Sequence, residues 1–188
     1  MKTIGILALQ GDIAKHASMV EKSGCKAVLV RYTRQLTEID GLIIPGGEST
    51  TIGKLLVRFE LLNPLISEIS RGLPVFGTCA GLILLAKNIE NSEQPRLGFL
   101  DITVARNAYG PQIESFEADI RVPAVGDMPL RAVFIRAPVI SAVSPAVDVL
   151  ASYEERPVFI RQGMLLGASF HPELTDDMRI HRFFGDMV

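Results

Sequence analysis

A short glycine-flanked turn that carries a cysteine constrains this chain more than any other stretch. Residues 73–76 form an apolar run typical of a buried strand, G-T-C-A-G follows at residues 77–81, and residues 82–87 are apolar and helix-forming. This strand–turn–helix pattern is a nucleophile elbow with cysteine in the place of serine. Gly77 and Gly81 suit it because a Cβ at either position would stop the strand from turning sharply into the helix. The turn therefore predicts an α/β fold that presents one cysteine at a helix N-terminus.

Cys79 is the residue that such a turn presents for chemistry. The unpaired N–H groups and the dipole of the following helix favour the thiolate form of a cysteine in this place. The N–H of Ala80 is positioned to donate to a developing oxyanion. Most free cysteines are small buried hydrophobes, but the strand–turn–helix context favours a nucleophile here.

Composition sets the class of protein and excludes several partners. The chain has 188 residues, of which 48% are hydrophobic and 21% charged, and a net charge of −2. It is expected to form one domain, residues 1–188, with a full core. The absence of a basic run argues against nucleic acid as a partner. Two distant cysteines without C-x-x-C argue against a disulfide scaffold or a metal site and favour the cytoplasm. With no secretory signal and no apolar run of bilayer length, no membrane association is expected.

Strands and helices alternate through the first half of the chain. Strands are predicted at residues 4–9, 27–30 and 42–44, and helices after Gly11-Asp12 and from residue 51 to Gly72, with a break near Asn63-Pro64. Asp12 is predicted to cap the first helix and Gly24 to end it. This alternation implies a mostly parallel sheet that is covered on both faces.

The second half changes to short strands separated by turn residues. They are predicted at residues 99–106, 116–122, 132–135 and 147–153, before a hairpin of residues 156–161 and 164–170 around Gln162-Gly163. Thr175 is predicted to cap a last helix that runs to residue 187. The fold class is therefore a three-layer, doubly wound α/β sandwich whose mostly parallel sheet gains antiparallel strands late in the chain. Its chemistry is expected at the carboxyl ends of the strands.

The segment His171-Pro172-Glu173 follows the last predicted strand, at the same sheet edge as Cys79. In an extended segment, residues i and i+2 share a face about 6.6 Å apart, and Pro172 favours an extended backbone at His171. The carboxylate of Glu173 is then expected to reach one ring nitrogen of His171 and to leave the other for the Cys79 sulfur. Nucleophile, base and orienting acid are the parts of a catalytic triad.

The other histidines and the second cysteine lack such neighbours in the sequence. His16 and His181 lie on predicted helices and are predicted to be surface or packing residues. Cys25 adjoins an apolar run and is predicted to be buried and inert.

The stretch G-G-E-S-T-T-I-G-K at residues 46–54 allows two interpretations. It follows a strand and precedes a helix, as a phosphate-binding loop does, but its glycine spacing is wrong and no hydroxyl residue follows Lys54 to bind magnesium. The better interpretation is a flexible glycine pair, Gly46-Gly47, whose N–H completes an oxyanion hole. Glu48 and Ser49 would then hold a polar substrate.

Two motifs together, G-T-C-A-G-L at residues 77–82 and H-P-E at 171–173, resemble the class I, triad-type glutamine amidotransferases. Finer segments resemble, within that family, the glutaminase subunits of ribose-5-phosphate-dependent pyridoxal 5′-phosphate synthases. These segments are L-Q-G-D at 9–12, P-G-G-E-S-T-T at 45–51, R-N-A-Y-G at 106–110, S-F-E-A-D at 115–119, F-I-R-A-P at 134–138 and S-F-H-P-E-L-T at 169–175. The resemblance runs nearly end to end.

The resemblance implies that the chain hydrolyses L-glutamine to L-glutamate and ammonia through a thioester on Cys79. It implies that His171 is the base, that Glu173 orients it, and that the N–H groups of Gly47 and Ala80 form the oxyanion hole. The glutamine-binding residues it implies are Gly46, Gly47, Glu48, Ser49, Arg106, Ile135 and Arg136. Arginine suits the α-carboxylate because its planar fork pairs with both oxygens. No metal and no organic cofactor is implied for this half-reaction.

The resemblance also implies a partner, a (β/α)₈-barrel synthase subunit that uses the ammonia to make pyridoxal 5′-phosphate in a hetero-oligomer. Three alternatives stay open. The first is a glutaminase that serves another synthase, such as one for histidine or purine. The second is a peptidase or deglycase that uses the same elbow cysteine. The third is a non-catalytic glutamine-binding subunit. The H-x-E pair and the polar loop count against a peptidase, and the complete triad counts against a non-catalytic subunit.

Overall fold

The computed structural model describes residues 1–106 and 115–188. Its strands are β1 Thr3–Leu7, β2 Lys26–Val30, β3 Gly41–Ile44, β4 Val75–Thr78, β5 Ala86–Ile89, β6 Leu100–Ala105, β7 Ser115–Ile120, β8 Leu130–Ile135, β9 Val139–Val143, β10 Asp148–Tyr153, β11 Arg156–Gln162 and β12 Leu165–Ala168. Its α-helices are α1 Ile13–Lys22, α2 Ser49–Arg58, α3 Leu62–Ser70, α4 Ala80–Leu85 and α5 Arg179–Met187. Short 3₁₀ turns lie at Thr33–Glu38, Pro123–Val125 and Pro172–Leu174.

A seven-stranded sheet in the order β10-β11-β12-β4-β3-β1-β2 forms the centre of the molecule. The strands from β12 to β2 are parallel, whereas β11 and β10 are added antiparallel at one edge. The predicted doubly wound sheet with late antiparallel strands is therefore confirmed. Because β3, β4 and β12 run in the same direction, the segments that follow them meet at one edge of the sheet.

Each face of this sheet carries its own apolar core. On one face, α2, α3 and α4 pack on the sheet together with a small sheet of β5, β6 and β9. On the other face, α1, α5 and the antiparallel hairpin of β7 and β8 form the cover. The two covers and the sheet make the three predicted layers. In the described parts of the chain, no helix has the length and apolarity needed to cross a bilayer.

The first helices differ from their predictions at their ends. Asp12 precedes α1, but its side chain makes no capping hydrogen bond and instead lies 3.5 Å from Lys15 Nζ. Gly24 follows α1 with a φ of +89°, as expected for a helix stop. The break predicted near Asn63-Pro64 is present at residues 59–61. Pro64 itself lies in the first turn of α3, where its missing N–H has no intrahelical partner.

The last helix begins later than predicted. Thr175 does not cap it; α5 starts at Arg179. The intervening Asp177 explains the delay, since its carboxylate accepts hydrogen bonds from the backbone N–H and the guanidinium of Arg179. The short strands β5 and β9 were not predicted. They have few residues, and their pairing with β6 comes from distant parts of the chain.

Candidate active site

Cys79 lies in the turn between β4 and α4, at the edge where the parallel strands end. Its backbone has a φ of +49°, unusual for a residue with a side chain, and its N–H donates to the carbonyl of Ala168 at 2.8 Å. A Cβ on Gly77 would lie 2.5 Å from the carbonyl carbon of Gly81, and one on Gly81 would overlap the carbonyl oxygen of Ile44. The two glycines therefore allow the sharp turn that exposes the sulfur to the pocket.

His171 follows β12, and its N–H donates to the carbonyl of Val133 at 2.8 Å. Its Nδ1 lies 2.8 Å from Oε1 of Glu173, and both side chains are buried. Pro172 and Glu173 belong to a 3₁₀ turn, so the predicted extended segment is wrong. The turn nevertheless brings the carboxylate to the imidazole, because Glu173 is long enough to reach back to the ring.

The charges of this cluster are set by mutual contact. Burial alone would lower the pKa of His171, but its contacts with Cys79 and Glu173 outweigh burial and raise that pKa to about 10. Burial alone would raise the pKa of Glu173, but His16 and His171 hold it well below its usual range. At neutral pH the site therefore contains an imidazolium between a carboxylate and the cysteine sulfur.

Of the two alternatives predicted for His16 and His181, a surface position is wrong, because both lie buried behind Glu173. His16 Nε2 is 3.3 Å from Oε2 of Glu173 and 3.2 Å from the hydroxyl of Thr78. His16 Nδ1 is 3.0 Å from Nε2 of His181. A signal was present, since His16 falls on the apolar stripe of α1 at residues 13, 16, 17 and 20. Cys25, predicted to be buried, is only half-buried.

A pocket of about 300 Å³ opens above Cys79 and His171. Its lining residues are Gln10, Gly47, Glu48, Ser49, Cys79, Ile83, Arg106, Ile135, Arg136 and His171. All the predicted glutamine-binding residues except Gly46 are among them. Gln10 and Ile83 were missed by the sequence reasoning, although Gln10 lies in the L-Q-G-D segment. The pocket brings together a cysteine thiol, an imidazole and charged side chains of both signs.

Gln94 organises the polar wall of this pocket and was also missed. Its Oε1 accepts hydrogen bonds from Arg106 Nη1 at 2.9 Å and from Ser49 Oγ at 3.3 Å. Arg106 Nη2 lies 3.6 Å from Oε1 of Glu48. Glu48 in addition accepts from the N–H of Thr51, so it caps α2 as well as lining the pocket. No sequence signal marks Gln94, which lies in an irregular segment.

The loop after β3 is shaped by its neighbours. Gln10 Oε1 accepts from the N–H of Glu48 at 2.8 Å, and a Cβ on Gly47 would overlap the Gln10 carboxamide. Across the pocket, the thiol of Cys79 lies 3.8 Å from the carbonyl of Ile135. The next residue, Arg136, has a φ of +42°, a strained conformation that directs the chain around the pocket mouth.

Gly46 is placed differently from its prediction as a glutamine-binding residue. It does not line the pocket; a Cβ added to it would overlap Cε1 of His171.

Gly46→Ala is therefore expected to displace the imidazole and to lower kcat about a hundredfold, because a misplacement of about 1 Å can cost that much. The control is Gly185→Ala, whose Cβ would lie 3.2 Å from Cys25 Sγ, away from the pocket. Equal kcat values for Gly46→Ala and wild type would contradict this assignment.

Comparison with known proteins gives the family. The model of the SNO glutamine amidotransferase family matches residues 6–188. The chain belongs to the SNO glutamine amidotransferase family.

Relatives of this SNO family member match it over nearly its whole length. The pyridoxal 5′-phosphate synthase subunit PdxT of Desulforudis audaxviator is 57% identical over 188 residues, 100% of both chains. The protein of the same name from Carboxydothermus hydrogenoformans is 57% identical over 98% of this chain and 97% of its own. A crystal structure of a glutamine amidotransferase superposes with a TM-score of 0.94 at 47% identity, covering 98% of this chain and 97% of the other. PurLQS from Thermotoga maritima, at 16% identity and a TM-score of 0.75 over 99% of each chain, shows the fold alone.

Most of the segments that carried the resemblance surround the pocket in this SNO family member. Residues 9–12, 45–51, 134–138 and 169–175 each contribute a pocket residue. Arg106, at the start of R-N-A-Y-G, lines the pocket as well. The rest of that motif, residues 107–110, lies outside the described residues.

Gln94→Ala is expected to raise KM for glutamine about tenfold and to change kcat little. The substitution removes the acceptor that holds Arg106 and Ser49, so the free energy lost is that of one or two charge-assisted or neutral hydrogen bonds, about 1–2 kcal/mol. Initial rates over a range of glutamine concentrations measure it. Gln162→Ala is the matched control, because Gln162 bonds to Asp101 outside the pocket. A fall in kcat at unchanged KM would show that Gln94 acts on the chemistry instead.

Proposed function

We propose that this chain is the glutaminase subunit of a pyridoxal 5′-phosphate synthase, acting as a single amidotransferase domain. The observation that carries the proposal is the placement of Cys79, at a strained strand–helix turn, beside the His171–Glu173 pair in one pocket. The printed names of relatives at 57% identity support the choice of synthase.

The proposed reaction begins with the Cys79 thiolate. It attacks the side-chain amide carbon of glutamine, and the N–H groups of Gly47 and Ala80 stabilise the oxyanion that forms. Ala80 is the first residue of α4, where N–H groups have no partner within the helix. The imidazolium of His171 gives its proton to the leaving nitrogen, the C–N bond breaks, and ammonia departs. A thioester remains on the sulfur.

Hydrolysis of the thioester completes the cycle. His171, now neutral, removes a proton from water as the hydroxide oxygen attacks the thioester carbon. Collapse of the second tetrahedral intermediate releases glutamate and returns the sulfur as thiolate, with the proton on His171. Glu173 orients the ring through both steps. Each atom is accounted for without a metal or an organic cofactor, and we propose none.

Glutamine binding is assigned to the charged wall of the pocket. The guanidinium groups of Arg106 and Arg136 suit the α-carboxylate. Partial burial would raise the pKa of Glu48, but hydrogen bonds from Thr50 and Thr51 outweigh it and lower the pKa. Glu48 is therefore an anion at neutral pH, and it suits the α-ammonium group. Gly47, Ser49 and Ile135 complete the set, whereas Gly46 makes room for His171.

We further propose that the partner is a (β/α)₈-barrel synthase subunit and that the hetero-oligomer works in the cytoplasm. Free ammonia is protonated in water and then no longer acts as a nucleophile, so direct transfer to a bound partner is chemically sensible. The cytoplasm suits a catalytic thiol, and both cysteines of the chain are free.

The test is glutamate and ammonia release from L-glutamine by the full chain, with and without the synthase subunit. We expect release that increases when the synthase is added, and covalent labelling of Cys79 by the electrophilic glutamine analogue 6-diazo-5-oxo-L-norleucine, located by mass spectrometry. Release that is indifferent to the synthase would point to another acceptor enzyme. An absence of both release and labelling would contradict the glutaminase assignment.

A further inference from the structure

Five buried or nearly buried side chains form a continuous series of polar contacts from the pocket into the core. Cys79 contacts His171, and His171 Nδ1 meets Oε1 of Glu173 at 2.8 Å. On the far side, Oε2 of Glu173 is 3.3 Å from His16 Nε2, and His16 Nδ1 is 3.0 Å from His181 Nε2. The glutaminase chemistry uses the first three of these groups. The last two, His16 on α1 and His181 on α5, take no part in the proposed reaction steps.

The proton positions in this series follow from its ends. Because a carboxylate only accepts hydrogen bonds, the tautomer of His16 that carries its proton on Nε2 is the one that favours the 3.3 Å approach to Glu173. His16 Nδ1 is then an acceptor, and His181 Nε2 must donate to it. The remaining atom, His181 Nδ1, is left without a proton. This agrees with the observation that it is buried without a partner, where a bare nitrogen is less costly than an unsatisfied N–H.

His181 is suited to end the series as a neutral group. It is 2% exposed and stacks edge-on against Phe76, with ring centroids 6.3 Å apart. Burial lowers the pKa of His181 to about 3. No group of three His, Cys, Asp or Glu side chains in the described ranges is arranged to hold a metal ion. The histidine pair is therefore a hydrogen-bonding element.

We propose that His16 is a positioning residue for the glutaminase reaction, holding Glu173 ionised and in the rotamer that orients His171, while His181 fixes the ring of His16. The inference rests on the proposed function. Oε2 of Glu173 is buried and accepts no hydrogen bond, and the His16 imidazole, 3.3 Å away, is the polar ring that it faces. Without His16 this carboxylate oxygen would lose that ion-pair contact, which is costly for a buried charge. The carboxyl group would then take up a proton or rotate away from His171.

A pH effect follows from the groups that face Glu173. These are His171 in its own segment and His16 from α1. The Thr78 hydroxyl from β4 and His181 from α5 face His16 instead. Loss of His16 removes the main favourable contact of the carboxylate, so Glu173 would be protonated at higher pH. The acid limb of the kcat/KM profile should move upward in pH.

The experiment compares three variants of the full chain, assayed with the synthase subunit. His16→Leu is expected to lower kcat about ten- to a hundredfold, the range that loss of an orienting partner costs at metal-bound histidines. His16→Gln keeps an N–H donor for Glu173 and should recover most of that loss. Val20→Ala, one turn along α1 and buried in the same core, is the control for simple destabilisation. It should change neither kcat nor the position of the acid limb.

The outcomes separate the inference from the proposed function. If the wild-type chain releases no glutamate with the synthase, the proposed function fails and the inference with it. If wild type is active and His16→Leu has the same kcat and the same pH profile as wild type, His16 does not position Glu173. If His16→Leu and His16→Gln lose activity equally, with unmoved acid limbs, the role of His16 is only structural and the inference is overturned.

Discussion

Cys79→Ala is expected to abolish glutamine hydrolysis, lowering kcat at least about 10⁴-fold in the presence of the synthase. Removing the nucleophile of a triad enzyme costs orders of magnitude because the covalent route is lost, and only binding and oxyanion stabilisation remain. The Cys79 sulfur lies beside the imidazole of His171 and lines the pocket, so the substitution removes the group proposed to attack the substrate. Glutamate release and thioester trapping should disappear together.

The fold should survive this substitution. Alanine, like cysteine, has a Cβ, so the strained backbone at φ +49° is no worse in the variant. Cys25→Ala is the matched control, because it makes the same chemical change at a half-buried cysteine outside the pocket. It should keep wild-type kcat. If Cys79→Ala retained glutaminase activity while Cys25→Ala lost it, the assignment of the nucleophile would be wrong.

The elbow could be predicted because its constraints are local. Gly77 and Gly81 approach each other within one strand–turn–helix segment, and the G-x-C-x-G spacing predicts this approach. Gly81 in addition lies close to Ile44 on the neighbouring strand β3. The doubly wound sheet follows in the same way, from the alternation of short apolar runs and helical stretches. The carboxyl-edge rule then brings Cys79 and His171 together, although they are far apart in the chain.

The second half of the site depends on contacts that no local pattern states. His16 and His181 lie on helices that pack together only in the folded protein, and Glu173, which contacts His16, comes from a third segment. Their positions on apolar helical stripes indicate burial but not the partner. Gln94 is still less visible, because it lies outside regular structure and reaches Arg106 and Ser49 by side-chain bonds alone.

Gly46 and Gly47 are adjacent in the sequence, but the structure places them differently. The glycine pair was predicted to serve the oxyanion and the substrate, and Gly47 lines the pocket. Gly46 instead faces the ring of His171. The sequence cannot separate the two, since adjacent glycines are equally free of side chains. Packing in the folded protein decides which glycine lines the pocket and which one lies against the imidazole of His171.

Glu173→Gln is expected to lower kcat about 10³- to 10⁴-fold, as loss of charge on the orienting acid does in Ser-His-Asp enzymes. The amide is nearly isosteric, but it brings a donor to a place where two donors already point. Either His171 or His16 must then change its tautomer or its position. The variant should fold and bind glutamine, and its lost rate should appear in kcat. Glu68→Gln is the matched control, because Glu68 lies on α3 and pairs with the exposed Arg71, away from the pocket. It should leave kcat and KM unchanged.

The pH dependence of stability gives this prediction a second readout. A histidine in an unfolded chain titrates near 6.5, whereas folded His171 has a pKa of about 10. Protonation of His171 therefore stabilises the fold fully below pH 6.5, and this contribution is lost as the pH rises from 6.5 toward 10. The Glu173 carboxylate helps to raise the pKa of His171. In Glu173→Gln the stabilisation from protonated His171 should therefore be lost at a lower pH than in wild type. Urea unfolding at pH 6 and pH 9 measures the difference. If wild type and Glu173→Gln lost the same unfolding free energy between pH 6 and pH 9, Glu173 would not stabilise the protonated form of His171. In the kinetic assay, a kcat of Glu173→Gln within tenfold of wild type would contradict a role for Glu173 in the triad.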